Sequence, residues 1–331
     1  MGISPDTSNY CLGKGVLYFD QLVGAVYTGE RDLGNATDFS FNVSVDKLEH
    51  FSSRGGLKAK DKSVISQVTP GIKFTLDEIN KENLAMLSLG TISEVTQSAG
   101  SVVAESLNAY VGKRLVLAHR SIGTYTIAHG TVTNGPFVVG QTIAASGAST
   151  GAGNIAAVGS GTIQIAITSG TFASVCTLTS QTTKTATSSA APVWLAGVLL
   201  VQDSADTVTY AAGTDYIIDT TLNDDKIGRI LIPTGSTITD ASDVHVTYGY
   251  AAATYTKVAA FTQTIVEGRL RFVSDNPVGE NQEVVVWRVS LSPDGDTSFI
   301  GDNWSTLGFT GEVLKDETGH PTSPYMDFIF G

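Results

Sequence analysis

Asp38-Phe39-Ser40-Phe41-Asn42-Val43-Ser44-Val45-Asp46 alternates without a break, apolar at every odd position and polar at every even one. A strict period of two over this length specifies a strand with one face for a core. A second run follows, in which Val64, Val68, Ile72, Phe74 and Leu76 share one parity and Ile65, Gln67, Thr69, Lys73 and Thr75 the other. Between them lies a cationic arm, residues 47–62, with Lys47, His50, Arg54, Lys58, Lys60 and Lys62. Asp77 then reads as the N-cap of a short helix over 77–89, with Ile79, Asn83, Leu84 and Leu87 at helical spacing and Gly90 as its stop. Two strands, an arm and a helix form a scaffold with no catalytic group in it.

Outward from this stretch, composition points the same way. The chain has 331 residues, of which only 16% are charged and 35 are Gly, a balance that favours short strands and tight turns over helix bundles. A formal net charge of -12 argues against a non-specific nucleic-acid binder, though not against a surface past which DNA slides. Cys11 and Cys176 stand far apart in no metal-like spacing, so no disulfide framework is expected. Met1-Gly2-Ile3-Ser4-Pro5-Asp6 lacks the basic and apolar regions of an export signal, and no apolar run nears the roughly 20 residues of a membrane span. Synthesis in the cytosol and no membrane insertion are the expectations.

Residues 11–34 read as a strand pair, Gly15 to Asp20 and Val23 to Tyr27. Residues 88–112 have no decisive pattern. From 121 to 190 there is one charged residue, Lys184, in a Gly, Ser, Thr, Ala, Val and Ile background that keeps a strand rhythm at 124–127 and 162–167. That is the signature of a small all-β module inserted in the chain. It carries a weak duplication: Asn134-Gly135-Pro136-Phe137 with Gln141-Thr142-Ile143, and Ser169-Gly170-Thr171-Phe172 with Cys176-Thr177-Leu178. Strands resume at 195–202, 207–210, 216–219, 229–233 and 244–250, separated by turns such as Asn223-Asp224-Asp225. The last two runs are 269–273 and 283–291. The second is apolar on both faces at one end, which marks a central strand or a subunit contact.

No chemical motif survives its context. Gly147-Ala148-Ser149-Thr150-Gly151 matches the nucleophile elbow of serine hydrolases, but no long helix follows it. Gly151-Ala152-Gly153 lacks the Lys-Ser/Thr of a phosphate loop. Asp294, Asp296, Asp302 and Asn303 could ring a calcium ion, yet no Glu closes a twelve-residue loop. His50 beside Glu49 has no Ser, Cys or metal-ligand companion at a recognisable spacing, so a structural histidine is the better reading. Neither an enzyme, a cofactor nor a metal is expected.

Charge is distributed more tellingly. The arm is cationic, whereas from 275 onward Asp275, Glu280, Glu283, Asp294, Asp296, Asp302, Glu312, Asp316, Glu317 and Asp327 face only Arg288 and Lys315. One cationic arm and one anionic end suit head-to-tail association.

The chain resembles the major tail tube protein of long-tailed, siphovirus-like double-stranded DNA bacteriophages. The resemblance lies in Gly13-Lys14-Gly15-Val16-Leu17-Tyr18-Phe19-Asp20, Gly29-Glu30-Arg31-Asp32-Leu33-Gly34-Asn35 and Lys47-Leu48-Glu49-His50-Phe51-Ser52-Ser53-Arg54-Gly55-Gly56. It continues in Asp77-Glu78-Ile79, Glu82-Asn83-Leu84-Ala85, Tyr210-Ala211-Ala212-Gly213-Thr214-Asp215-Tyr216, Glu267-Gly268-Arg269-Leu270-Arg271-Phe272 and Gly311-Glu312-Val313. It implies a mainly β fold: a tail-tube β-sandwich or barrel core with one short α-helix, in two parts, 1–120 and 191–331, around the inserted module 121–190 on the tube exterior. It further implies hexameric rings stacked head to tail, with the arm as subunit interface. The implied partners are a tape-measure protein in the lumen, tail terminator and distal tail proteins, and double-stranded DNA in transit. The location implied is the virion tail. The competing expectation is a β-rich adhesion or carbohydrate-binding protein of a phage or bacterial surface.

Overall fold

A computed structural model describes residues 10–147, 149–197 and 199–330. Met1 to Asp6 and Ala148, which entered the sequence reading, lie outside the described residues. The fold is mainly β, with two short α-helices among the described residues. The strands run β1 (Gly15–Val23), β2 (Val26–Asp32), β3 (Ala36–Ser52) and β4 (Ala59–Leu76), then α1 (Lys81–Leu87) and β5 (Thr91–Gln97). Next come β6 (Gly100–Ala109), β7 (Arg114–Val116), β8 (Ile122–Ala128), β9 (Thr142–Ser146), β10 (Ala152–Gly159), β11 (Thr162–Ser169), β12 (Thr177–Ser180), β13 (Thr185–Thr187), β14 (Val193–Ala196) and β15 (Leu200–Asp203). α2 (Asp224–Ile227), β16 (Arg229–Leu231), β17 (Ser242–Tyr250), β18 (Ala253–Ala259), β19 (Val266–Ser274), β20 (Gln282–Pro293), β21 (Leu307–Val313) and β22 (Met326–Phe330) complete the chain.

These elements form two compact units, residues 1–94 with 256–331, and residues 95–255. The composition borders at 120 and 190 therefore do not coincide with the contact borders. The reason is strand pairing: β6 pairs with β17, and β17 pairs in turn with β8, so the flanks of the low-charge segment belong to the same sheet as the segment itself. The chain enters and leaves the second unit through β5 and β18, which pair with each other.

In the first unit one antiparallel sheet has the order β2-β1-β19-β20-β21-β4-β3, with β22 added to β20. β20 is thus central, which accounts for its two apolar faces. The sheet wraps a core of Leu17, Phe19, Leu33, Phe74, Leu270, Val286, Phe309 and their neighbours. Phe74 stacks on Phe309 at 4.9 Å, and Phe39 packs against Phe272 at 5.4 Å, which brings the sheet's far strand over β19. The turn after β1 falls at Gly24 and Ala25, both with positive φ, so Val23 ends β1 and the second strand starts later than its apolar run suggested.

The helix is shorter than its spacing implied. Asn80, not Asp77, caps it, accepting from the Asn83 amide at 2.7 Å; Asp77 is occupied by the Asn35 side chain at 2.8 Å. Leu89, at φ 46, takes the left-handed position, whereas Gly90 is required by close approach, since a Cβ there would lie 2.6 Å from the Ala259 carbonyl oxygen. Asn83 is fully buried and ties the segments together: its amide donates to the Leu33 and Glu78 carbonyls and its oxygen accepts from Arg31 at 2.9 Å.

The second unit has two cores. One gathers Ile122, Val201, Tyr216, Ile230, Val244 and Tyr248; the other, drawn wholly from residues 127–186, gathers Ile127, Phe137, Ile143, Ile155, Ile163, Phe172 and Leu178. Both phenylalanines of the duplicated pattern enter this second core, and the strands that follow them, β9 and β12, pair antiparallel. The expected turn at Asn223-Asp224-Asp225 is instead capped by a second helix, α2, because buried Asp224 bridges Arg114 at 3.3 Å and Arg229. Residues 207–210 and 216–219 make only isolated bridges, not the strands expected. Cys11 and Cys176 are both free thiols. No helix among the described residues is long and apolar enough to cross a membrane.

Candidate assembly interface

β3 and β4 build a hairpin far longer than the sheet needs. β4 is held by β21 only from Gly71 to Leu76, so, among the described residues, 59–70 pair with nothing but β3, and β3 has no partner on its outer edge. At ~3.3 Å per residue, about 40 Å of two-stranded ribbon is left free. An isolated ribbon of this kind is marginal in water unless another surface covers it.

Both sides of that ribbon carry apolar groups. Phe39 packs on the core and Phe41 meets Phe328 at 5.3 Å, but beyond them Val43, Val45 and Val68 are exposed, so the outer part of the alternating face meets no core within the subunit. The register of the free ribbon shows two bulges, besides one at the base between Ala36 and Asp38. Asp46 faces Gln67 and Lys47 faces Ile65, which leaves Ser66 extra on β4; His50 faces Lys62 and Phe51 faces Lys60, which leaves Asp61 extra. A one-residue slip exchanges faces. Ile65 therefore joins Val45 and Val68, while Val64 joins Leu48 on the opposite side, which corrects the parity assigned from sequence.

The cationic arm is mostly strand, with only residues 53–58 outside β3 and β4. Lys47, His50, Arg54, Lys58, Lys60 and Lys62 are strung along its outer part, all exposed: Arg54 and Lys58 in the turn, Lys60, His50 and Lys62 next to it, and Lys47 opposite Ile65, roughly 20 Å before the turn. His50 meets Asp61 at 2.6 Å, and Lys60 pairs with Glu49. Among the described residues Lys47, Arg54, Lys58 and Lys62 have no carboxylate within 4.0 Å. Leu57 at the turn is 88% exposed.

A second exposed apolar surface was not recognised in the sequence. The loop of residues 294–306 between β20 and β21 holds Phe299, Ile300 and Trp304, which are 70%, 94% and 93% exposed. Its base is fixed: the Asp294 amide donates to the Gly308 carbonyl at 2.9 Å and its carboxylate binds Lys73 at 2.5 Å. Trp304 stands beside Asn35, Asp77 and Glu78. The only advance signal was three large apolar residues among Gly, Ser and Asp, the opposite of ordinary turn composition. Between the hairpin base and β19 runs a groove of about 490 Å³ lined by Leu17, Phe39, Phe41, Phe272, Val284 and Phe328.

The acidic end is less free than its charge count suggests. Within it Glu283 pairs with Arg271, Asp294 with Lys73 and Glu317 with Lys315; outside it Glu267 pairs with Arg288 at 2.6 Å and Asp20 with Arg269 at 3.0 Å, so the Glu267 to Phe272 motif is a charge ladder across β1, β2, β19 and β20. Desolvation opposes the charge on Arg271, but its hydrogen bonds to Glu30 and Glu283 leave its pKa raised.

Ser149 is buried, donates to the Thr171 carbonyl and accepts from the Ala173 amide at 3.1 Å, a satisfied loop bond. Among the described residues no three His, Cys, Asp or Glu side chains converge as metal ligands.

Two stretches, residues 10–195 and 138–329, match the model of the family described as protein of unknown function UCP028589. The chain belongs to that family. The two UCP028589 matches together span both structural units and overlap across much of the low-charge segment. The description of the UCP028589 family names no activity. No curated protein matches the chain.

Proposed function

We propose that this protein is a structural subunit that polymerises, as stacked hexameric rings, into the hollow tail tube of a long-tailed double-stranded DNA bacteriophage. The observation that carries the reading is the β3–β4 hairpin, whose apolar alternation from Val43 outward has no core behind it in the single subunit. A face of this kind is completed by neighbouring copies, and a ring of strands has no free edge to aggregate. The open edges at β2 and β3 offer the pairing surfaces that such closure uses. A net charge of -12 suits a lumen through which DNA passes without sticking. A tape-measure protein inside, and terminator and distal tail proteins at the ends, are the partners this reading implies.

A carbohydrate-binding role draws less support. Within the low-charge segment, where the sequence suggested a glycan site, Phe137 and Phe172 are buried and so cannot stack on a sugar.

Negative-stain microscopy of the purified protein tests the proposal. Rings or tubes about 100 Å wide are expected from six subunits of about 40 Å each. Monodisperse monomers at all concentrations would overturn it. Deleting residues 52–62 should leave soluble protein that forms no tubes.

A further inference from the structure

We propose that the loop of residues 294–306 on one copy is the seat for the β3–β4 tip of the next, so that copies stack head to tail along the hairpin. The inference rests on the reading of the chain as a tube subunit, and it names which surface receives the arm.

The two surfaces lie at opposite ends of one strand. β21 leaves the loop at Leu307, whose partner is Leu76, the last residue of β4; the tip precedes Ala59, its first. β4 has 18 residues, so the two ends stand about 60 Å apart. Within one copy the tip cannot reach the loop. A contact between two different patches at opposite ends of a molecule is heterologous and repeats from copy to copy, which makes a stack.

Their chemistry matches. The tip offers Leu57 with Arg54, Lys58 and Lys62 around it; the loop offers Phe299, Ile300 and Trp304 with Asp296 and Asp302 among them. Among the described residues none of those three tip cations has a carboxylate within 4.0 Å, and neither of those two carboxylates has a cation. Each surface thus holds what the other lacks: an apolar centre with charge of opposite sign at its rim. The loop is also fixed for docking, since Asp294 is bound to Lys73 and the Ser298 hydroxyl donates to the Ile300 carbonyl at 2.8 Å.

Cysteine cross-linking in the full chain tests the contact. In a Cys11→Ser background, Leu57→Cys combined with Ile300→Cys should give, on oxidation, a ladder of multimers on a non-reducing gel, whereas either single variant stops at dimers. Separately, Trp304→Asp should cut the sedimentable fraction at least tenfold while the subunit's melting stays unchanged, because the side chain touches little of its own copy. Tubes visible by microscopy without a ladder from the double variant would overturn the contact and leave the tube reading standing. A ladder without rings or tubes would support the contact and overturn the tube reading. Neither ladder nor sedimentable material would overturn both.

Discussion

Asn83 shows how much of the first unit hangs on one amide. Its side chain holds Arg31, the Leu33 carbonyl and the Glu78 carbonyl at once, joining the segment after β2 to the start of α1. Asn83→Ala takes the donor from the Leu33 and Glu78 carbonyls and one acceptor from Arg31, and a loss of about 2–4 kcal/mol in urea unfolding is expected. Sequence showed Asn83 only as a member of a helical face, because periodicity ranks side chains by polarity and says nothing of which buried carbonyls need donors. The cap was misplaced for a related reason: Asp77 and Asn80 are both capping types, and a remote residue, Asn35, decided between them. In the second unit, burial pushes the Tyr216 phenol up from 10.0 to about 12, with Asp215 adding to the effect, while its hydroxyl donates to the Leu199 carbonyl at 2.7 Å. A phenol raised in the folded state contributes stability that is complete below pH 10 and is lost as pH rises toward 12. The expected loss is about 3 kcal/mol across that window. Burial, followed by the hydrogen bond to Glu105, raises Tyr248 as well, so Tyr216→Phe should remove part of the alkaline slope in pH-dependent denaturant melts and leave the rest.

At the level of elements, the hairpin separates what folds a subunit from what joins subunits. Val68 pairs with Val45 on the free part of the ribbon, and both are exposed. Val68→Asp should therefore change subunit stability by only about 0.5 kcal/mol, as surface substitutions do. Sedimentation should nonetheless show assembly abolished, since a carboxylate would then stand on the apolar face. If the variant still assembles, that face is not an interface. The alternation at 38–46 made a one-sided strand legible from sequence alone. Period two says which side is apolar, however, and not whose core lies against it. The bulges at Ser66 and Asp61 were hidden because a single extra residue leaves no mark in composition and becomes visible only through the partner strand.

The whole molecule is one sheet-built unit into which a second is spliced at a pair of adjacent strands. Because β5 and β18 pair, the two ends of residues 95–255 lie side by side, and each unit has cores of its own. Replacing that segment with a short Gly/Ser linker should leave a soluble first unit that retains its own cooperative melt in calorimetry, and thinner tubes if those residues decorate an assembly. The border of this insertion was not legible: a shift in charge marks residues 121–190, but their flanks pair into the same sheet and share none of that bias. What the bias does fix is a response to environment. Residues 121–190 contain no Asp or Glu, and their core from Ile127 to Ala186 is assembled without a single carboxylate. Acid unfolding works by protonating carboxylates that are ionised in the native state. This part of the chain has none to protonate, so the acid response of the second unit comes from its flanks and not from this core. In a particle built from this chain, acid would first act on the flanks of that core, where hydrogen bonds from the Val208 and Ala211 amides and the Thr221 hydroxyl hold Asp203, Asp215 and Asp219 below the usual carboxylate range.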